Sequence, residues 1–168
     1  YYWHLGWYDG TLFNKIWQMS IAGSFFIISG ITSNFLSPRE NFKRGVLTSL
    51  IGFAITLITY IFAKDQFILW GVLNGLGASM IIVSFFKKNK KIHQALMFVF
   101  LGLFIISYKV PRGILYNLGF FKNLYNANIF FLGFPSKAFY SNDYFLLIPW
   151  VFIYLFGFYL GSYLKEND

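Results

Sequence analysis

Five apolar stretches, at residues 16–35, 45–63, 67–86, 93–110 and 144–164, occupy most of this 168-residue chain. Each is long enough, or nearly so, to cross a bilayer, which takes about 20 helical residues. Only 12% of the residues are charged and 24% are aromatic, where a soluble domain carries about 25% charge. A water-soluble chain of this length still exposes roughly a third of its unfolded surface, too much for so apolar a composition to cover. The reading is an all-α polytopic transmembrane helical bundle of about five spans. Strands are excluded because no period-2 alternation with turns about every ten residues is visible, and backbone amides in lipid must be satisfied within their own helix.

Charge then sets the orientation. Arg39, Lys43 and Arg44 lie between the first two spans, and Lys87, Lys88, Lys90 and Lys91 between the third and fourth, against Lys64 beside Asp65 between the second and third. Positive loops stay in the cytoplasm, so residues 1–14 and 111–142 fall outside and the C-terminus inside a multi-pass protein of the cell membrane. The net charge of +8 is explained by this topology, and no nucleic acid is expected. Tyr1 is not an initiator and begins no signal peptide, so the reading expects residues upstream of it. The whole of 1–168 is taken as one transmembrane domain.

Small residues mark where helices meet. Gly71 and Gly75, Gly157 and Gly161, and Thr48, Gly52 and Thr56 are spaced four apart, a pattern that lets backbones approach in lipid. The loop 111–142 is too apolar to float in water, with Leu118-Gly119-Phe120-Phe121 and Ile129-Phe130-Phe131-Leu132-Gly133-Phe134. It is expected to be partly ordered and to fold back over the bundle, as a lid over a site or as an interfacial cap.

The chain has no Cys and two His, which removes disulfides, thiolate chemistry and a multi-His metal site; no metal is expected. Polar groups at membrane depth are costly and so are functional candidates. Asn74 is one, either for a substrate or for an interhelical hydrogen bond. Asp143 is another, either as a site carboxylate or as the N-cap of the last helix, with Pro149 a turn and a half later set to kink that helix or begin its regular part. His4 stands at the outer mouth of the first span and suits proton transfer near neutral pH. Asp9 is close enough in sequence to orient it. Trp3 and Trp7 flank His4 as a sugar platform or as an aromatic belt. His93, beside four lysines, reads as a solvated loop end.

These segments occur in a recognisable order. Trp3-His4-Leu5-Gly6-Trp7-Tyr8-Asp9-Gly10, then Phe26-Ile27-Ile28-Ser29-Gly30-Ile31-Thr32-Ser33, Asn41-Phe42-Lys43-Arg44-Gly45 and Trp70-Gly71-Val72-Leu73-Asn74-Gly75-Leu76-Gly77 resemble the heparan-alpha-glucosaminide N-acetyltransferase catalytic-domain family. Phe131-Leu132-Gly133-Phe134-Pro135, Phe139-Tyr140-Ser141-Asn142-Asp143-Tyr144-Phe145 and Ile148-Pro149-Trp150 are similar to its small bacterial members. The resemblance implies an integral membrane acyltransferase that takes an acetyl group from cytoplasmic acetyl-CoA and passes it to an amine or hydroxyl acceptor, an envelope sugar by expectation, on the outer side. It implies a catalytic His4 with Asp9, a substrate site including Trp7, Asn74 and Asp143, and a CoA head group on Arg39, Lys43 and Arg44. The cations keep their alternative duty in topology.

Partners on this reading are the lipid bilayer and a small-molecule or saccharide acceptor, with a homo-oligomer left open. Two other classes remain: a non-enzymatic membrane protein, such as an assembly subunit or transporter fragment, and an inactive relative of the acyltransferases.

Overall fold

The computed structural model describes residues 12–86, 93–136, 139–141 and 143–167. Its elements are α1 (Leu12–Phe35), α2 (Pro38–Phe62), α3 (Val72–Ser84), α4 (His93–Ser107), α5 (Gly119–Asn126) and α6 (Leu147–Asn167), with short 3-10 turns at Lys64–Gln66 and Val110–Arg112. Among the described residues there is no strand, only isolated bridges pairing Trp70 with Tyr144 and Ile129 with Phe134. The expected all-helical membrane bundle is what forms.

Among the described residues three helices are long and apolar enough to span a membrane: Ile16–Phe35, Pro38–Phe62 and Leu147–Lys165. The third and fourth stretches make shorter helices. At 1.5 Å per residue, α3 and α4 are about 20 and 22 Å long, less than the roughly 30 Å hydrocarbon layer. The third stretch begins its helix at Val72 rather than Phe67 because Trp70 is drawn into extended pairing, its carbonyl accepting the Phe145 N–H at 3.0 Å. The last helix begins at Leu147 rather than Tyr144 for the same reason.

Local signals start α2. Ser37 Oγ accepts the Glu40 backbone N–H at 3.3 Å and Glu40 Oε2 accepts the Ser37 N–H at 2.8 Å. Pro38 fills the first helical turn, where its missing N–H costs nothing. This reciprocal cap satisfies two of the donors a helix start leaves open.

α6 is the central helix. α1, α4 and α3 pack against it, and α2 packs on the far side of α3, leaving most of α2's apolar surface facing outward. The core is aromatic: Phe26 and Tyr154 are 0% exposed, and the Phe26 ring lies 5.0 Å from Trp150, which lies 4.9 Å from Phe145. Helix contacts fall on the small residues. An added Cβ at Gly157 would stand 2.3 Å from the Ile27 carbonyl oxygen, and one at Gly30 2.3 Å from that of Tyr154. As expected from Pro149, the helix is irregular at its start, where Ile148 has φ −95° and ψ 121°.

The long connection between α4 and α6 is ordered around its own small core of Val110, Tyr125 and Phe134. The Tyr125 hydroxyl donates to the Val110 carbonyl. It folds back onto the bundle, with Leu147 and Ile148 N–H groups donating to Phe131 and Leu132 carbonyls at 3.0 Å and Trp70 meeting the Phe130 and Phe131 rings. Gly133 adopts φ +127° there, against Ile148, a conformation side chains rarely accept.

Candidate functional site

Polar groups gather at the two ends of α3. At its start, Asp143 Oδ2 accepts the Val72 backbone N–H at 3.2 Å. Ser141 Oγ accepts the Leu69 N–H at 3.1 Å and donates to the Asp143 carbonyl at 2.7 Å, which locks this strand of chain across the helix mouth. The expectation that Asp143 caps the last helix is therefore corrected. Its carboxylate serves α3, because the Trp70–Tyr144 pairing carries residue 143 over the open N–H groups of that helix. Gly71 makes the approach feasible, since a Cβ there would lie 2.9 Å from Asp143 Oδ2.

Burial raises the pKa of Asp143 above the ordinary carboxylate value, and the Val72 hydrogen bond offsets this only in part. Burial likewise pushes the Tyr144 phenol up, while its hydroxyl donates to the Phe130 carbonyl at 2.7 Å.

In the first turn of α3, Asn74 is 1% exposed. Neither Oδ1 nor Nδ2 has a hydrogen-bond partner among the described residues, so the interhelical bond open in the sequence is not made there. Its side chain fits against α2 only because residue 52 is glycine: a Cβ at Gly52 would sit 1.5 Å from Asn74 Oδ1. Asn74 and Asp143 both line a small cavity of about 140 Å³, with Gly52, Ile55, Ile68 and Gly71. Ser141 and Tyr144, on either side of Asp143 in sequence, line a larger one of about 620 Å³ within the long connection, together with Tyr116, Tyr125, Phe139 and Tyr140.

At the other end of α3 a cavity of about 700 Å³ opens between the α1–α2 turn, the last turn of α3 and α6. Asn41 lines it and is 3% exposed. Its Nδ2 donates to the Ser33 carbonyl at 2.8 Å, while Oδ1 has no partner among the described residues. Arg39, Lys43 and Arg44 stand exposed on the first two turns of α2. Arg44 follows Asn41 by three residues and so shares its face of the helix.

The structure thus brings Asn74 and Asp143 together and gathers the three cations at the opposite end. His4, Trp7 and Asp9 lie outside the described residues, as does the side chain of His93. Asn41, Ser141 and Tyr144 were not marked as site residues by sequence reasoning. A single amide or hydroxyl near a helix end carries no periodic signal, and only the tertiary contacts reveal its burial. Among the described residues no group of three His, Cys, Asp or Glu could hold a metal ion.

The chain is a helical membrane bundle in which Asn74 and Asn41 carry buried amide atoms with no partner among the described residues, each beside a cavity at one end of α3. The chain belongs to the family of heparan-alpha-glucosaminide N-acetyltransferase, catalytic, whose model matches residues 1–168, the whole chain. That family suggests a membrane acetyltransferase activity. Comparisons with curated proteins and with solved structures find no match.

Proposed function

We propose that the protein is a multi-pass acyltransferase of the cell membrane that carries an acetyl group from cytoplasmic acetyl-CoA to an amine or hydroxyl acceptor on the outer side, with its C-terminus in the cytoplasm. The observation that carries this reading, beside the family, is the polarity of α3. Its last turn adjoins the larger cavity and the cations, and its first turn adjoins Asn74 and Asp143, about 15 Å away along the axis.

The cytoplasmic end suits acetyl-CoA as donor substrate. The cavity of about 700 Å³ is walled by Leu36, Val83, Phe85, Phe86 and Phe158, which accept an apolar arm. Arg39, Lys43 and Arg44 supply charge for phosphates, arginine being the better bidentate partner. At the other end Asn74 offers a donor and an acceptor that have no partners among the described residues, and Asp143 offers a carboxyl, to the hydroxyl and amino groups of a saccharide acceptor. Trp7 would give a stacking face.

The chemistry assigned to His4 is proton transfer or acyl carriage. The acceptor nitrogen or oxygen attacks the acetyl carbonyl, the carbon–sulfur bond breaks, and the new carbon–nitrogen or carbon–oxygen bond forms. His4 takes the acceptor's proton and returns it to the departing thiolate, giving free CoA. In the alternative route its imidazole nitrogen holds the acetyl group between two such transfers. Asp9, with Asp143, orients and charge-balances the imidazole.

Calorimetry of acetyl-CoA with the detergent-purified protein and with His4→Ala tests this reading. Saturable binding to both, with acetyl release or transfer by the wild type alone, is expected. Absence of binding to either overturns it in favour of a non-enzymatic membrane role.

A further inference from the structure

Asn41 has a fixed amide. Its Nδ2 is committed to the Ser33 carbonyl at 2.8 Å, an acceptor that cannot pair with the amide oxygen, so the side chain is held with Oδ1 the other way. That oxygen is buried and has no donor among the described residues, and Asn41 lines the cavity of about 700 Å³. A buried, unmet acceptor is costly to keep, so a site that keeps one is matched to a ligand that donates. The surroundings narrow the ligand further. The last turn of α3 ends at this cavity with Ser84 and Phe85; its Ile82 and Val83 carbonyls already accept the Phe85 and Phe86 N–H groups, and a helix C-terminus carries partial negative charge. The inner wall therefore disfavours anions, while the cations stand outside it on α2.

We infer that Asn41 Oδ1 receives an amide N–H of the pantetheine arm of acetyl-CoA and so reads the arm, as distinct from the phosphates, of the donor. This rests on the acetyl-CoA reading above. The phosphates stay with Arg39, Lys43 and Arg44 at the rim, the apolar walls take the arm's methyl groups, and the unmet Asn41 acceptor sets its register. A nucleotide without the arm has no use for Asn41.

The test uses the full chain in detergent with four ligands: acetyl-CoA, two analogues in which one or the other pantetheine amide N–H is replaced by an ester oxygen, and the nucleotide part of CoA without the arm. The wild type is expected to bind one ester analogue about tenfold more weakly than acetyl-CoA, the size of one buried hydrogen bond. Asn41→Leu is expected to bind acetyl-CoA and that analogue equally, with its affinity for the nucleotide part unchanged. Equal binding of all three arm-bearing ligands by the wild type, or discrimination that persists in Asn41→Leu, overturns the role of Asn41 and leaves the acetyl-CoA reading standing. Failure of the wild type to bind acetyl-CoA overturns both. Should Asn41→Leu not fold for want of the Ser33 bond, Ser84→Phe fills the same cavity from α3 without touching that bond. It is expected to lose at least about tenfold in acetyl-CoA affinity while keeping the nucleotide part, and unchanged acetyl-CoA affinity in this variant overturns the inference.

Discussion

Asp143 reaches back 71 positions along the chain to accept the Val72 N–H at 3.2 Å, so the long connection is fastened to the very helix mouth whose buried amide, Asn74, it helps enclose. A helix start offers open N–H groups and a partial positive charge, which attract a carboxylate. Burial acts in the opposite sense and is the larger influence on the Asp143 proton.

The sign of that balance gives a pH test. The folded-state pKa of Asp143 lies above its ordinary value of 3.8, so the folded state holds the proton more tightly than the unfolded chain. The associated stabilisation is complete below about pH 3.8 and is lost as pH rises through the folded-state value. Asp143→Asn keeps an acceptor for Val72 without titrating. Its melting temperature relative to wild type should therefore increase as pH is raised from about 3 to about 7. A melting temperature of the variant that falls relative to wild type over this range contradicts the assignment. Asp143→Ala, which removes both the acceptor and the titration, should cost about 1 kcal/mol at low pH and less as pH rises.

Gly52 and Asn74 should behave as a pair. Gly52→Ala places a Cβ 1.5 Å from Asn74 Oδ1 and is expected to destabilise by about 1–3 kcal/mol. Adding Asn74→Ala removes the clashing oxygen, and the double variant should recover more than half of the loss. Additive losses in chemical denaturation would show that the two side chains do not share this space.

The small-residue faces were legible in the sequence because four-residue spacing on a helix has a single geometric meaning. Gly52, Gly157 and Gly161 lie at close helix–helix approaches, whereas the nearest backbone and side chains at Gly71 and Gly75 are those of Asp143 and Phe145 in the long connection. The two terminal spans and the second were legible from length alone. The extent of α3 was not, since Trp70 and Gly71 are apolar and could continue a helix; their extended path depends on Tyr144 and Phe145, which lie far away in sequence. The partner of Asp143 was hidden for the same reason. Ser141-Asn142-Asp143 just before a helix looks like a local cap, and nothing nearby announces that the open N–H groups it serves belong to another helix. The cations were visible as charges, but Asn41 became a candidate only when its amide proved buried with one side unmet.

The α1–α6 seam should tolerate no side chain. Gly157→Leu drives a Cβ to 2.3 Å from the Ile27 carbonyl oxygen and should cost about 3 kcal/mol, seen as lost monodisperse protein and a lower melting temperature. Gly102→Ala, which meets nothing within 4 Å, should be neutral or slightly stabilising in its helix. Equal effects of the two substitutions would contradict the packing described.

The phosphate role of the cations predicts a salt-dependent loss. Replacing Arg39, Lys43 and Arg44 together by Ala should weaken the nucleotide part of CoA by about tenfold or more at low salt, with a smaller difference at high salt. Titrations at two ionic strengths check this, and unchanged affinity would return the three residues to topology alone.

The most direct measurement of the account is vectorial acetyl transfer. Full-length protein is reconstituted into vesicles, labelled acetyl-CoA is supplied to the face bearing the α1–α2 turn, and D-glucosamine is held on the other side as the probe acceptor. Labelled N-acetylated sugar on the acceptor side with wild type, and only background with His4→Ala, is the predicted result. Transfer by His4→Ala at the wild-type rate, or no transfer by the wild type from either face, would contradict it.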